Sequence, residues 1–191
     1  GGIYQALNKG ISLATKSIVG LIHCGDFYKK DVLENVWDQF VATNADVIYG
    51  NIEVVEIVGK DIVSRFPIAN HKILDKKMSI FHPSSFISLK SYKKFGLYDI
   101  TYKSAADYDF FLNLYINECS FSYMSDVLAV FNAEGVSSNN FKLSLSENVQ
   151  IQTKYFGRWH GIKFFLTKSF LHFIYLTRKN LIQFIIGKNN F

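Results

Sequence analysis

Cysteine and proline are scarce in this chain of 191 residues, which contains two of each. Cys24 and Cys119 lie too far apart in sequence to suggest a disulfide framework or a zinc ribbon, so we expect a reducing, cytoplasmic compartment. With 49% hydrophobic and 19% charged residues, the composition excludes a disordered, collagenous or linker-dominated protein. The length accommodates one domain with a substantial core, or one domain and an appendage.

Acidic residues are missing from the C-terminal part. Residues 148–191 contain seven lysines and arginines and no acid, whereas residues 1–147 have a net charge of −2. We therefore predict two regions, a domain over residues 1–147 and a basic, aromatic-rich helical tail over residues 148–191. Such a tail suits an anionic membrane surface or an acidic partner. Its many apolar residues and the slightly acidic body disfavour nucleic acid.

Long apolar runs are also absent from the tail. Its longest uncharged stretch in the middle, Ser169–Thr177, is well below the roughly 20 residues that a spanning helix needs. One helical stripe, with basic residues largely opposite, comprises Ile162, Leu166, Phe170, Phe173, Leu181 and Phe184. Two interpretations stay open: a pair of helices lying in a membrane interface, or a C-terminal helix packing on the body.

Helical and strand patterns alternate along the rest of the chain. Apolar residues at helical spacing predict helices over 3–14, 29–43 and 107–117, with a short one ending at Phe95–Gly96. Runs of β-branched and apolar residues predict strands over 17–22, 46–58, 62–66, 86–89 and 121–131. This alternation favours an α/β fold.

Several catalytic motifs are absent. The chain has no G-x-x-x-x-G-K-[ST], G-x-G-x-x-G or G-x-S-x-G sequence, which excludes P-loop, dinucleotide-binding and α/β-hydrolase proteins. His23, Cys24 and His82 show no metal-ligand spacing, so a zinc or Cys–His catalytic site is disfavoured.

Three aspartates are candidates for chemistry. Asp26 follows a predicted strand, where it either holds a divalent cation or caps the next helix. Asp107 and Asp109 begin a predicted helix and point about 200° apart, so they do not share a proton. One of them facing a cleft would suit a general base, and both also suit a helix N-terminus.

Several sequence blocks follow one another in a distinctive order. The first block is Gly2–Ile11, and an apolar strand and Gly25–Asp26 follow it. Further blocks are His82–Phe86, Gly96–Asp99, Ala105–Phe110 and Phe131–Ser138. In order and spacing these blocks resemble family 2 glycosyltransferases of the GT-A fold, whose pattern G-I-Y-D-A-M-N-K-G-I corresponds to the first block. The resemblance covers roughly residues 2–140, and several motifs in register are more specific than any one alone.

The resemblance implies a mixed α/β sheet flanked by helices and an inverting transfer of a sugar. The donor would be a nucleotide-diphosphate sugar, and the acceptor a hydroxyl of a saccharide or lipid-linked saccharide in cell-surface polysaccharide synthesis. By resemblance Asp26 binds Mg²⁺ or Mn²⁺, Gly25 and Asn8 belong to the same cofactor-binding site, and Asp107 is the catalytic base. His82 and Asp109 would contact substrate, and the protein would lie on the inner face of the cell membrane.

Three departures from the family pattern concern the acidic positions of the expected metal site, and they motivate an alternative to the glycosyltransferase hypothesis. His23 stands where many members have Asp or Asn, Gly25 where many have an acid, and Gln5 where Asp is usual. The elements that bind the nucleotide base would precede Gly2, so we expect the N-terminal portion of the domain to be missing and a sheet edge to be open. The alternative function is a non-catalytic remnant that binds a membrane or partner through its tail. Whether another chain, including a second copy, covers that edge stays open.

Overall fold

The computed structural model describes residues 2–59, 61–133 and 141–188, with side chains up to Arg178. The chain divides into two compact units, residues 1–140 and 141–191. The boundary expected after residue 147 falls inside a helix, and the units instead divide seven residues earlier, where that helix begins. The block at Gly135–Ser137 lies outside the described residues.

Unit 1 contains six strands, four α-helices and two short 3-10 helices among its described residues. The strands are β1 (Ile18–Gly20), β2 (Phe27–Tyr28), β3 (Val47–Val58), β4 (Asp61–Arg65), β5 (Ser85–Ser88) and β6 (Phe121–Asn132). The α-helices are α1 (Ile3–Leu13), α2 (Val32–Thr43), α3 (Leu89–Phe95) and α4 (Ala106–Ile116). Each predicted helix and strand of this region is therefore confirmed, although β2 was not anticipated. The helix predicted from residue 29 begins at Val32, because Asp31 adopts a left-handed backbone with φ of 60°.

The strands form one mixed sheet in the order β1-β5-β3-β6-β2, and β4 pairs with the far half of β3. β3 and β6 are parallel, whereas the other pairs are antiparallel. The predicted α/β class, a mixed sheet flanked by helices and followed by a helical tail, is confirmed. Because β2 runs antiparallel to β6 and Phe27 pairs with Val130, the loop before β2 lies at the C-terminal end of β6.

The core lies on both faces of the sheet. On one face, α2 packs Val32 and Val36 against Ile48, Phe86 and Leu128. α4 is buried around most of its circumference, which suits its continuous apolar sequence rather than a one-sided pattern. A Cβ atom on Gly20 would lie 2.6 Å from the ring of Phe86, so close packing of β1 requires glycine there.

Unit 2 consists of α5 (Phe141–Phe156) and α6 (Arg158–Lys188), which pack on each other. Gly157, with φ of 87°, separates them. Phe141 stacks on His172 and Phe156 contacts His160, so the two helices are antiparallel. The tail residues from 158 form a single helix of 31 residues. None of the helices that the structure describes is long and apolar enough to cross a membrane.

Candidate active site

Asp26 lies where the loop after β1 enters β2. The N–H of Asn132, at the end of β6, donates to Asp26 Oδ1 over 3.0 Å. Asp26 Oδ2 is buried and has no hydrogen-bond partner among the residues that the structure describes. Burial raises the pKa of Asp26 and outweighs the lowering by the Asn132 N–H and by the charge of His23. Asp26 precedes α2 by several residues and does not cap it, which removes the helix-cap interpretation.

Asp107 lies in the first turn of α4, next to the N-terminal helix of the chain. Tyr4 Oη donates to Asp107 Oδ1 over 3.1 Å, and the N–H of Tyr108 donates to the same oxygen over 2.9 Å. Burial raises the pKa of Asp107 despite the opposing hydrogen bonds from Tyr108 and Tyr4 and the charge of His23. A carboxylate with a raised pKa is better suited to accept a proton than an ordinary aspartate.

Tyr98 contacts residues of α1, of α3 and of the segment before β5. Its hydroxyl is 3.1 Å from His82 Nε2 and 3.1 Å from the hydroxyl of Tyr92, and its ring lies 5.7 Å from that of Tyr4. Asn8 donates to the carbonyl of Tyr98 over 2.8 Å and accepts from its N–H over 3.0 Å. The amide of Asn8 therefore braces α1 against the Tyr98 segment, and a role for Asn8 in cofactor binding stays a prediction.

His82 is buried and carries no charge at neutral pH. Burial, followed by the charge of His23, lowers the pKa of His82 to about 3. Its ring stacks on that of His23, with centroids 5.2 Å apart and planes 18° apart. His82 Nδ1 is buried and has no partner in the described part of the chain. His23 thus links the predicted residues, since it contacts His82 and acts electrostatically on both Asp26 and Asp107.

Gly25 and Asp109 take different positions. Gly25 precedes Asp26 with φ of 94°, a conformation that favours glycine and sets the direction in which the loop enters β2. Asp109 is buried on α4, about 200° around the helix from Asp107. The geometry therefore gathers Asp26, His82 and Asp107 around His23 and leaves the substrate role of Asp109 a prediction.

Sequence reasoning did not assign a site role to Tyr4, Tyr98 or His23. Each lies inside or beside a block that carries the family resemblance: Tyr4 in Gly2–Ile11, Tyr98 in Gly96–Asp99, and His23 three residues before Asp26. Their position in those blocks is the signal that could have identified them.

Whether the site suits a divalent cation depends on Asp26. Among the described residues, no group of three or more His, Cys, Asp or Glu side chains could hold a metal ion. The unpartnered Oδ2 of Asp26 fits the other binding mode of Mg²⁺, in which one or two carboxylates bind the ion and substrate phosphates and water complete its shell.

Comparison with known proteins identifies a matching family and several sequence relatives. Residues 1–100 match the model of glycosyl transferase family 2. An uncharacterized glycosyltransferase of Mycobacterium tuberculosis, Rv1514c, is 28% identical over 141 residues, which cover 73% of this chain and 53% of the relative. A PGL/p-HBAD biosynthesis glycosyltransferase of Mycobacterium bovis is also 28% identical, over 72% of this chain and 54% of the relative. The chain thus spans about half the length of these relatives.

Solved structures support the fold independently. Residues 1–349 of TarS from S. aureus superpose with a TM-score of 0.58 over 86% of this chain and 49% of that fragment, at 16% identity. The complex of the same TarS fragment with UDP-GlcNAc gives a TM-score of 0.60 over 79% of this chain and 45% of that one, at 18% identity. The architecture is therefore of the GT-A type, as the sequence resemblance implied. With the family model matched over more than half of its residues, the chain belongs to glycosyl transferase family 2.

Proposed function

We propose that the protein transfers a sugar from a nucleotide-diphosphate sugar to an acceptor hydroxyl, with inversion at the anomeric carbon. The acceptor oxygen bonds to the anomeric carbon, the bond from that carbon to the diphosphate breaks, and its electron pair leaves with the nucleoside diphosphate. The acceptor proton moves to Asp107. One displacement of this kind needs no covalent enzyme intermediate.

The observation that carries this proposal is the environment of Asp107. The carboxylate lies at the start of α4, its pKa is raised by burial, and the residues around it lead through Tyr98 and His82 to Asp26. A base and a carboxylate suited to a phosphate-bound cation therefore belong to one connected cluster. The complexes of TarS with UDP-GlcNAc and with UDP support a uridine nucleotide as the first donor to test.

Asp26 would hold the cation of the proposed site. Its buried, unpartnered Oδ2 is available for Mg²⁺ or Mn²⁺, and Asn132 fixes the carboxylate through Oδ1. When bound, the ion neutralises the charge that develops on the departing diphosphate. Gly25 sets the entry of this loop, and neutral His82 belongs to the surrounding wall.

A donor panel tests the activity in the intact protein. UDP-GlcNAc and other UDP-, GDP- and dTDP-sugars would be supplied with MnCl₂ and saccharide acceptors, and release of nucleoside diphosphate would be measured. We expect turnover with at least one donor and an inverted anomeric configuration in the product by ¹H NMR. Saturable donor binding without turnover, or a retained configuration, would contradict the proposal.

The tail supports a peripheral position on the inner face of the cell membrane, near a lipid-linked acceptor. A stripe on α6, within an arc of about 80° at 100° per residue, comprises Trp159, Ile162, Leu166, Phe170 and Phe173. All five side chains are exposed, with Trp159 85% accessible. The cations of this region have no acidic neighbours in residues 148–191, which suits an anionic lipid surface.

Vesicle sedimentation tests this position. The intact protein is expected to bind phosphatidylglycerol-containing vesicles more strongly than pure phosphatidylcholine vesicles. Phe173→Ser in the stripe should weaken binding severalfold, whereas Leu171→Ser, exposed on another side of α6, should have little effect. Equal loss in both variants would contradict a defined membrane-facing stripe.

The second candidate is a non-catalytic protein that binds a membrane or partner through unit 2. It is favoured by the absence, among the described residues, of a group of three metal-binding side chains. The same donor panel separates the two candidates, because a remnant would bind vesicles and show neither donor binding nor turnover.

A further inference from the structure

The two oxygens of Asp107 have different surroundings. Both hydrogen bonds that the carboxylate accepts from other residues end on Oδ1, one from Tyr4 Oη and one from the N–H of Tyr108. No other described residue donates to Oδ2, and the N–H of Asp107 itself adds a further hydrogen bond that lowers the pKa of the carboxylate. The carboxylate is therefore held on one side and left available on the other.

Tyr4 is fixed in place independently of Asp107. Its side chain is buried, at 8% exposure, and its ring packs against Tyr98. One turn further along α1, Asn8 forms two hydrogen bonds to the backbone of Tyr98. Burial and the neighbouring Asp107 raise the pKa of Tyr4 well above its ordinary value, so the hydroxyl stays protonated and remains a donor.

We propose that Tyr4 is the positioning residue of the base: it holds Asp107 through Oδ1 and leaves Oδ2 to receive the proton of the acceptor hydroxyl. This inference rests on the proposed glycosyl transfer. During the step, the proton moves from the acceptor oxygen to Oδ2, the new bond to the anomeric carbon forms, and the electron pair of the broken bond leaves with the diphosphate. Tyr4 keeps its own proton throughout.

Among the described residues, three titratable side chains act on Asp107 from the surrounding elements. They are Tyr4 from α1, His23 from the loop after β1, and Tyr98 from the segment after α3. The Tyr4 hydrogen bond favours the ionised carboxylate and lowers its pKa. Removing this bond should therefore raise the pKa of Asp107 and move the acid limb of kcat/KM to higher pH.

Tyr4→Phe tests the proposal because it keeps the ring and deletes only the donor. In the intact protein, with the active donor of the panel, we expect kcat to fall on the order of tenfold, the donor KM to change little, and the acid limb to move upward. p-Aminophenylalanine at position 4, which retains an N–H donor, should restore much of the lost rate. This second variant keeps the test informative if Tyr4→Phe is poorly folded.

Tyr92→Phe is the matched control. It deletes another buried tyrosine hydroxyl, which bonds to Tyr98 and has no bond to Asp107. We expect its pH profile to match that of the wild type. An equal shift in both variants would indicate general loosening of the aromatic cluster and would overturn the specific role of Tyr4.

A substrate-free measurement separates this inference from the proposed function. ¹³C NMR of carboxyl-labelled aspartate, assigned through Asp107→Asn, follows the titration of Asp107 without turnover. A resonance that titrates at higher pH in Tyr4→Phe supports the positioning role. An unchanged resonance together with an unchanged pH profile overturns it, whereas turnover retained in Asp107→Asn overturns the base itself.

Discussion

A residue at each end of β6 donates hydrogen bonds to an aspartate, and the two carboxylates differ in how many of their oxygens have a hydrogen-bond partner. Before the strand, the N–H and hydroxyl of Ser120 donate to Asp46 Oδ2, both over 2.9 Å, and Ser91 donates to Oδ1 over 3.1 Å. After the strand, the N–H of Asn132 donates to Asp26 Oδ1, and no described residue is a partner of Oδ2. The same residue type braces the fold at one end and is left open at the other.

The difference also appears in the proton affinities. Burial raises the pKa of Asp46, but the hydrogen bonds of Ser120 and Ser91 and the nearby Lys90 lower it overall below the ordinary value. For Asp26 and Asp107, burial prevails and the pKa is raised. A carboxylate whose hydrogen bonds are completed by the protein serves the fold, whereas one with an unused oxygen is suited to a ligand or a proton.

Asp107→Asn should give the largest effect, because it removes the proton acceptor while it preserves shape. We expect kcat for glycosyl transfer to fall about 10²- to 10⁴-fold, with donor affinity and melting temperature nearly unchanged. Asp38→Asn, exposed on α2, is the control and should retain full activity. Activity within a few fold of wild type in Asp107→Asn would show that an open carboxylate oxygen does not identify the base.

Asp26→Asn should give the next largest effect, a loss of affinity for the nucleotide. The amide oxygen can still accept from Asn132, so the loop stays in place while the charge is lost. We expect the affinity for UDP measured by calorimetry in the presence of MnCl₂ to fall on the order of tenfold or more. Asp46→Asn at the other end of β6 should leave the affinity for UDP unchanged. Equal losses of affinity in the two variants would contradict a ligand-binding role that is specific to Asp26.

The sequence predicts the elements well and the contacts between them poorly. Alternating patterns locate β3 and β6, because both are long and apolar, but the two residues of β2 pair only through tertiary contact with β6. The position of Asp26 after a strand is readable from spacing. Its unpartnered Oδ2 is not, since that depends on Asn132, more than 100 residues further along the chain.

The same limit explains the missed site residues. Tyr4 and Asp107 are 103 residues apart, so no local pattern indicates that their side chains meet. Asn8 illustrates the converse, because a residue inside a recognisable motif was assigned to cofactor binding while its amide braces the backbone of Tyr98. A sequence motif identifies the neighbourhood of a site. Only tertiary contacts distinguish the residues that support the fold there from those suited to bind a ligand or accept a proton.

Asp46→Ala should affect stability rather than activity. The substitution leaves the N–H of Ser120 and two serine hydroxyls without their acceptor. We expect a loss of about 1–3 kcal/mol in the free energy of unfolding, measured by urea denaturation, and an unchanged kcat. A fall in kcat without loss of stability would assign Asp46 to the site and break the comparison.

The smallest effect should be on the pH dependence of the free energy of unfolding. Asp46 and Asp26, at the two ends of β6, should contribute to it with opposite signs. Because the folded-state pKa of Asp46 is lowered, its contribution is present above the ordinary aspartate pKa and is lost as the pH falls through the folded value. The raised pKa of Asp26 acts oppositely: the folded state is favoured at low pH and weakened as the pH rises through the folded value. Urea midpoints measured across the acid range should therefore show a shallower acid loss in Asp46→Asn and a steeper one in Asp26→Asn. The same slope in both variants would mean that the open and the braced carboxylate do not differ in the folded protein.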